Sequence, residues 1–295
     1  MSLHGNQVLV VTPFKPDYQL DEASLSSLID HLVAQDVAGI IVLGTTGEFF
    51  SLTDSEKRRV IDVAAERIGD RSALIVGVAH SGSEIAADMA VYAREKGAAA
   101  VLAPPPYYHQ PTAEGMIAHF SRIAQRGAID MMVYDGGGGT EIPVEVVEAV
   151  LNVSPHMRYV KLTTPKVTKV RQYHSHFDGR ISVFAGEDLL IMPELIEGAD
   201  GLTTAAGNLR ASVLNRIFAL VQAGEIDQAQ ALHDRHIAPQ ALVTGSIRNE
   251  FIQCFKVALN RMGIIAHDTV RPPLHVLPRS RIDNLVAMLK VQGLL

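Results

Sequence analysis

Short apolar runs alternate with amphipathic segments eight times in this chain, and this alternation constrains its fold more than any other feature. Each apolar run has the length of a strand, and each is followed by residues with apolar positions at helical spacing. The runs carry apolar residues on both faces, as strands of a parallel sheet do when helices cover it. Eight such units predict an α/β protein with a closed (β/α)8 barrel, the TIM-barrel architecture.

An open, doubly wound sheet is the alternative architecture. No Gly-x-Gly-x-x-Gly turn follows the first predicted strand, and eight units suit a closed barrel better. The residues after the eighth unit are too many for a barrel tail and predict about three more helices. We therefore expect a barrel over residues 1–224 and a C-terminal helical extension over residues 225–295.

Composition argues against several kinds of partner. The chain has 295 residues and a net charge of −6 without a cluster of lysine and arginine, which argues against nucleic acid. No apolar run approaches transmembrane length, and the N-terminus lacks the pattern of a signal peptide. Cys254 is the single cysteine, so no internal disulfide can form. We expect a cytoplasmic protein that binds neither nucleic acid nor membrane.

Lys161 lies within a short apolar run, residues 159–162, and is the most informative single residue. Burying an ammonium group without a partner is unfavourable. One interpretation is a lysine at a strand end whose amine reaches solvent. The other is an amine that apolar surroundings keep neutral, so that it can attack a carbonyl carbon.

Polar residues gather where the predicted strands end, which in (β/α)8 barrels is the face that carries active sites. They are Thr12, residues 44–48, Tyr107, Tyr108, Tyr134, Lys161, Gly186, Glu187, Thr203 and Thr204. Strand alternation also turns Lys161 and Thr163 towards the barrel interior, with Tyr134 beside them on the preceding strand. A neutral lysine beside a phenol can form an imine with a keto group. This arrangement favours the second interpretation of Lys161.

Residues 44–48 read Gly-Thr-Thr-Gly-Glu and follow the second predicted strand. Glycines let the backbone approach a ligand closely, and consecutive amides can bind a carboxylate. An ordinary turn between a strand and a helix is the alternative. Next to Lys161, the motif indicates an anion-binding loop.

Taken together, these motifs resemble the dihydrodipicolinate synthase / N-acetylneuraminate lyase family. The resemblance is carried, in chain order, by residues 12–14, 44–48 and 106–108, by Tyr134 and Lys161, and by residues 186–188 and 271–274. It implies a Schiff-base-forming lyase of the class I aldolase type, acting as an aldolase or a dehydratase. Its substrate would be pyruvate or another small 2-keto acid.

The resemblance also implies roles for four residues. Lys161 would form the imine with the ketone, and Tyr134 would carry protons to and from the substrate. Thr45 would link Tyr134 to a second tyrosine, Tyr108, which in the family reaches into a neighbouring subunit's site. A homo-oligomer would follow, commonly a homotetramer built as a dimer of dimers. No metal or organic cofactor is expected, because the imine on Lys161 is itself the electron sink.

Six further residues are predicted to bind substrate: Thr46, Gly47, Gly44, Thr163, Gly186 and Thr203. The amides and hydroxyls of Thr45 and Thr46 would hold the carboxylate of the keto acid. Thr163, Thr203, Thr164 and Asp135 would offer contacts to substrate hydroxyl groups.

Two departures from the sequence pattern of the family's synthase branch narrow the range of expected substrates. The resemblance places a synthase arginine, which binds the carboxylate of aspartate semialdehyde, at Gly139 within the glycine run 136–139. Losing a guanidinium removes a bidentate carboxylate ligand. After Lys161 the synthase pattern Glu-Ala-Thr-Gly is replaced by residues 162–165, Leu-Thr-Thr-Pro.

Residues 47–53 instead resemble the branch that dehydrates keto-deoxy sugar acids. A glycine-lined loop would leave room for a polyhydroxylated chain. We therefore expect a 2-keto-3-deoxy sugar acid as the substrate. The alternative is 4-hydroxy-tetrahydrodipicolinate synthase activity, which condenses pyruvate with aspartate semialdehyde.

Other classes of function fit the sequence less well. His174 and His176 form an H-x-H pair, but it lies in a helical or loop region after the sixth strand and not at a strand end surrounded by carboxylates, which indicates surface histidines rather than a metal site. His80 and His109 lie near loops of the barrel rim. A non-catalytic binding protein on the same barrel would be expected to lose the lysine or the tyrosine, and both are present.

Overall fold

Eight parallel strands close into a barrel in the order in which they occur in the chain. The structure, a computed structural model, describes residues 3–136, 139–245 and 250–295. The strands are β1 (Gly5–Leu9), β2 (Gly39–Val42), β3 (Ala73–Gly77), β4 (Ala100–Ala103), β5 (Asp130–Asp135), β6 (Met157–Leu162), β7 (Ser182–Ala185) and β8 (Gly201–Leu202). The predicted fold class is confirmed.

Helices follow the strands and cover the outside of the barrel. They are α1 (Glu22–Val33), α2 (Asp54–Ile68), α3 (Ser83–Glu95), α4 (Ala113–Gly127), α5 (Val144–Val153), α6 (Lys169–Phe177), α7 (Ile191–Ile196) and α8 (Gly207–Gln222). Short 3-10 turns at Phe49–Ser51 and Asp188–Leu190 interrupt the loops after β2 and β7. Within the described ranges, no helix is long and apolar enough to span a membrane.

Two apolar layers hold the barrel together. The larger fills the space between strands and helices, and the smaller fills the barrel interior. The interior layer contains Leu3, Leu9, Ile41, Ile75, Ala100, Leu102, Met132, Tyr159 and Phe184. Because side chains alternate along a strand, the interior layer ends where Tyr134 and Lys161 follow Met132 and Tyr159. The barrel is therefore packed below the predicted site.

Helix starts follow the sequence signals unevenly. Thr53 and Glu56 form a capping box at the start of α2, with the Glu56 carboxylate accepting from the Thr53 amide at 2.9 Å. At the start of α3, Gly82 occupies the cap position and Ser83 is the first helical residue. The Ser83 hydroxyl lies 3.0 Å from Nδ1 of His119.

The C-terminal extension has four α-helices in its described part, not about three. They are α9 (Ile226–Leu232), α10 (Ala238–Thr244), α11 (Glu250–Arg261) and α12 (Arg279–Val291). A π-helical turn, His233–Ile237, separates α9 from α10. Sequence periodicity alone does not reveal this turn, because the chain stays helical on both sides of it. Helix α11 packs against α8 and α12, which places the extension against the barrel.

Candidate active site

Lys161 and Tyr134 lie side by side at the carboxyl ends of β6 and β5. The strand register pairs the two residues directly, and Nζ of Lys161 lies 4.2 Å from the centre of the Tyr134 ring. Lys161 is only 4% exposed. In the described part of the chain, no carboxylate oxygen lies within 4.0 Å of its amine. The amine is therefore buried beside a phenol, without a direct ion pair to any residue that the structure describes.

A cavity of about 350 Å³ opens at these two side chains. It is the space in which a substrate would meet the amine. Its described lining consists of Leu9, Thr45, Thr46, Tyr134, Lys161, Thr163, Gly186, Glu187, Asp188, Ala205, Thr244, Gly245, Phe251 and Phe255. Lys161 is the single cation among these residues, whereas Glu187 and Asp188 are acids.

The turn over residues 44–48 presents two free amides to this cavity. The Gly47 amide donates to the Gly44 carbonyl and the Glu48 amide donates to the Thr45 carbonyl, both at 3.0 Å. The amides of Thr45 and Thr46 have no hydrogen-bond partner among the described residues, and both residues line the cavity. Adjacent unpaired amides of this kind can bind a carboxylate.

Gly186 provides the space in which the lysine side chain lies. A Cβ atom at Gly186 would lie 2.8 Å from Cε of Lys161 and 2.5 Å from Oγ1 of Thr163. The Thr163 hydroxyl donates to the Gly186 carbonyl at 3.3 Å. The end of β6 can approach β7 this closely only because residue 186 has no side chain.

Three carboxyl groups from the segment after β7 lie within electrostatic reach of Lys161 or each other. Burial, reinforced by the charge of Glu187, raises the pKa of Asp188 to about 7. Burial also raises the pKa of Glu194 to about 8, with the Gly186 amide partly offsetting the effect. Neither carboxyl oxygen of Glu194 has a hydrogen bond of normal geometry in the described structure. Protonated carboxyl groups can donate a proton to a departing hydroxide.

The site and fold together have a counterpart among known proteins. The model of the Dihydrodipicolinate synthetase family matches residues 2–292 of the chain. The chain belongs to this family. The match covers the barrel and the extension, and it confirms the predicted family and its class of Schiff-base-forming lyases.

Individual family members show the same extent of similarity. The 4-hydroxy-tetrahydrodipicolinate synthase of Kineococcus radiotolerans is 29% identical over 97% of this chain and 92% of its own length. The crystal structure of dihydrodipicolinate synthase from Aquifex aeolicus has a TM-score of 0.94 at 27% identity, covering 99% of each chain. The chloride-inhibited synthase from Acinetobacter baumannii, solved in complex with pyruvate, has a TM-score of 0.93 at 26% identity over the full length of both chains.

The structure brings most of the predicted residues of this family member together. Lys161, Tyr134, Thr45, Thr46, Thr163 and Gly186 all line the one cavity. Gly44 and Gly47 shape the turn behind it. A Cβ at Gly44 would lie 2.7 Å from Cδ2 of Leu9, and the Gly47 carbonyl accepts from the Thr12 hydroxyl at 2.7 Å.

Two predicted site residues lie away from the cavity in the single chain. Thr203 is fully buried, and its hydroxyl donates to the Ala185 carbonyl at 3.3 Å, so this hydroxyl is hydrogen-bonded within the barrel wall. Tyr108 is 80% exposed, and its amide donates to the Ser81 hydroxyl at 3.1 Å. Tyr108 is not among the described residues that line the cavity of its own chain.

The expected hydroxyl contacts of Asp135 and Thr164 are wrong. The Asp135 carboxylate is fully buried, accepts from the Ile142 amide at 2.9 Å and contacts the Lys169 ammonium. The Thr164 hydroxyl accepts from the Lys166 amide at 3.3 Å. Both residues are one position away from those that face the interior, so alternation turns them towards the helices.

The histidines singled out in the sequence do not meet at this cavity. Nε2 of His174 lies 3.1 Å from Asp200 and Nε2 of His176 lies 3.4 Å from Glu148, both half-exposed on α6. His80 accepts from the Gly82 amide, and His109 packs edge-on against Tyr108. In the described ranges, no three histidine, cysteine or acidic side chains are grouped to hold a metal ion. Gly137 and Gly138 of the glycine run lie outside the described residues.

Part of the cavity comes from the C-terminal extension, which the sequence analysis did not assign to the site. Phe251 and Phe255 on α11 and Thr244 and Gly245 at the end of α10 line it. The two phenylalanines are four residues apart and therefore lie on one face of α11. Spacing can predict such a face, but only the tertiary structure shows that it covers the barrel mouth.

Proposed function

We propose that this chain is a class I lyase that forms an imine between Lys161 and a 2-keto-3-deoxy sugar acid. The observation that carries the proposal is that Lys161 and Tyr134 lie side by side at one cavity. Lys161 is the single cation among the described residues that line this cavity. A lysine amine that has lost its proton is a nucleophile for a carbonyl carbon. Pyruvate is the smallest keto acid that the same chemistry would accept.

The reaction would begin with attack of the Lys161 amine on the C2 ketone and loss of water to give the iminium. The Thr45 and Thr46 amides would hold the C1 carboxylate. Withdrawal of electrons into the iminium then allows two outcomes. Removal of a C3 proton gives an enamine that expels the C4 hydroxide, or removal of the C4 hydroxyl proton breaks the C3–C4 bond and leaves the pyruvate enamine. The Tyr134 hydroxyl would move the proton in either case.

The cavity wall supports a hydroxylated rather than an anionic substrate tail. Glu187 and Asp188 face the cavity together with the hydroxyl-bearing Thr163 and Thr244. Carboxylates accept hydrogen bonds from sugar hydroxyls and repel a second carboxylate, and threonine hydroxyls can both donate to and accept from sugar hydroxyls. The alternative is the condensation of pyruvate with aspartate semialdehyde, which the names of the curated relatives favour.

We also propose that the active unit is an oligomer in which Tyr108 serves a neighbouring subunit. Its support is a cluster of exposed large side chains around Tyr108: Phe50 (40% exposed), Ile85 (44%) and Tyr107 (52%). Phe49 connects the cluster, with ring centres 5.6 Å from Phe50 and 5.9 Å from Tyr107. Apolar surface of this kind is typical of interfaces between subunits. A dimer of dimers is the predicted assembly.

Three further predictions belong to the same proposal. No metal or organic cofactor takes part, because the iminium on Lys161 provides the electron sink. Residues 1–224 form the catalytic barrel, and residues 225–295 form an extension that completes the cavity wall through Phe251 and Phe255. The cytoplasmic location stays a prediction from the sequence.

Comparison of substrates tests the proposal. The purified protein would be given 2-keto-3-deoxy sugar acids of several lengths and, separately, pyruvate with aspartate semialdehyde, with products identified by mass spectrometry. We expect kcat/KM for at least one sugar acid to exceed that of the synthase reaction by about a hundredfold or more, since a site lacking the matching polar partner rejects a substrate strongly. A faster synthase reaction would contradict the proposed substrate while leaving the imine chemistry intact.

A further inference from the structure

Glu48 and Lys256 form a buried ion pair that joins the loop after β2 to helix α11. Both side chains are 0% exposed, and the two residues are 208 positions apart. The second carboxylate oxygen of Glu48 accepts from the Arg271 amide at 3.0 Å. The Lys256 ammonium also donates to the Thr269 carbonyl at 2.8 Å and lies 4.2 Å from the centre of the Phe14 ring. Each member of the pair is thus held by the other and by one backbone group.

Glu48 ends the turn that presents the two free amides to the cavity. Its φ is 54°, in the left-handed region that residues other than glycine seldom adopt. Its amide donates to the Thr45 carbonyl at 3.0 Å, and its carbonyl accepts from the Ser51 amide at 2.9 Å. Because this backbone conformation is unfavourable for glutamate, anchoring of the side chain is what keeps the turn in the shape that exposes the amides.

Lys256 belongs to the helix that covers the same cavity. Phe255 precedes it and Phe251 lies one turn earlier, and both line the cavity. Arg271 strengthens the connection, since its guanidinium donates to the Glu56 carboxylate at 2.6 Å and to the Ser51 carbonyl at 2.9 Å. The carboxylate-binding turn and the apolar wall opposite it are therefore fixed to each other by one buried cluster.

A second buried pair has a different setting. Lys169 and Asp135 join α6 to β5, and neither lines the cavity. Removing a partner of either pair leaves a buried charge unpaired and should lower stability. Of the two pairs, only the one at Glu48 is connected to the turn with the free amides. Disrupting the Lys169 pair should therefore affect stability alone, whereas disrupting the Glu48 pair should affect both stability and the position of the amides.

We propose that Glu48 is a positioning residue that orients the Thr45 and Thr46 amides for the carboxylate of the keto acid, and that Lys256 makes this orientation depend on the C-terminal extension. The inference rests on the proposed function, because that function makes the carboxylate of the keto acid the ligand of the two amides. Glu48 itself does not touch the substrate. It acts through the turn, so its loss should weaken substrate binding more than it slows the chemistry on Lys161.

The test compares Glu48→Gln, Lys256→Met and the double variant with Lys169→Met as the matched control. KM and kcat for the keto acid that the protein turns over, and the melting temperature, are measured for the full-length protein. Imine formation with pyruvate is measured separately by borohydride trapping. We expect both single variants to raise KM by about tenfold or more, since small displacements of positioning groups have large effects, while kcat at saturation changes by less than about threefold. The double variant should match the single variants, because the two residues act as a unit.

Lys169→Met should lower the melting temperature and leave KM within about twofold of the wild-type value. If a single variant does not fold, the KM of the double variant replaces that of the single variants as the test, because the double variant leaves neither buried charge unpaired. An unchanged KM in the Glu48 and Lys256 variants, with a loss of stability like that of Lys169→Met, would overturn the positioning role. Failure of the wild-type protein to trap any keto acid would instead count against the proposed function.

Discussion

Tyr134 and Lys161 occupy paired positions on neighbouring strands, and the amine of Lys161 lies 4.2 Å from the ring centre of Tyr134. The pairing is set by hydrogen bonding between β5 and β6, not by the loops that follow them. The ring shields one side of the amine from water, and both residues line the same cavity. The proposed nucleophile and the proposed proton carrier are thus held together by paired strands of the barrel.

Replacing Tyr134 with phenylalanine separates these two contributions. The ring would remain over the amine, so imine formation with pyruvate should persist, whereas proton transfer should slow. We expect kcat to fall by about 10² to 10⁴, the usual effect of losing a positioned acid or base. Steady-state kinetics and borohydride trapping measure the two effects separately.

Tyr159→Phe is the matched control for that experiment. Tyr159 also faces the barrel interior from β6, but it is 1% exposed and its hydroxyl accepts from the Leu3 amide at 3.2 Å. This variant should lose about 1 kcal/mol of stability and retain its turnover. Equal losses of turnover in the two variants would remove the case for Tyr134 as the proton carrier.

Adding a methyl group at Gly186 should block the lysine. The new Cβ would lie 2.1 Å from the Leu162 carbonyl oxygen and 2.8 Å from Cε of Lys161, so strand and side chain would both have to move. We expect Gly186→Ala to abolish trapping or reduce it by about a hundredfold. In the control Gly115→Ala on α4, the new Cβ meets only Oγ1 of Thr112 at 3.5 Å, and the protein should gain up to about 1 kcal/mol. Normal trapping in Gly186→Ala would show that the lysine does not need this space.

Glu194→Gln should change how stability depends on pH. Burial raises the pKa of Glu194 in the folded protein from its ordinary value of 4.5 to about 8. The folded state therefore holds a proton that the unfolded state releases, and the wild-type protein should lose stability as pH rises from 4.5 to 8. Glutamine does not titrate, so the free energy of unfolding of the variant, relative to that of the wild type, should increase over this range by at most on the order of 5 kcal/mol. Urea unfolding of both proteins at pH 5 and pH 8 measures this difference. A difference that does not increase with pH would contradict the burial of an acidic group at this position.

Mixing two inactive variants tests whether Tyr108 serves a neighbouring subunit. Lys161→Ala removes the nucleophile, and Tyr108→Phe is expected to impair the proton path. In a hybrid dimer, one site would combine an intact Lys161 with an intact Tyr108 from the other chain. Equal amounts, dissociated and reassembled, should recover about a quarter of the wild-type activity, because half of the dimers would hold one complete site. No recovery from assembled hybrids would place the action of Tyr108 within its own chain.

The central part of the site could be predicted from the sequence because it depends on short-range rules. A period of two along β6 turns Lys161 and Thr163 inwards, and the parallel register brings Tyr134 beside them. The same rules should have excluded Asp135 and Thr164, which differ by one position and therefore face the helices. Eight repeats of the strand–helix unit likewise led to the closed barrel.

The rest of the site depends on contacts between residues far apart in the chain. Nothing in the sequence around Lys256 indicates that it meets Glu48, 208 residues away. Phe255 on the same helix has the spacing of an ordinary core residue. Glu194 has the sequence setting of a polar residue in a short helix, and only the tertiary structure shows that its carboxyl group is buried near the Gly186 amide.

Trapping of the imine shows directly whether Lys161 is a nucleophile towards keto acids. The protein would be incubated with pyruvate and sodium borohydride, and the site of modification located by peptide mass spectrometry, with Lys161→Ala treated in parallel. We expect one reduced pyruvate adduct per chain, on Lys161, and none in the variant. An unmodified wild-type protein with pyruvate and with longer keto acids, or an adduct that persists in Lys161→Ala, would contradict it.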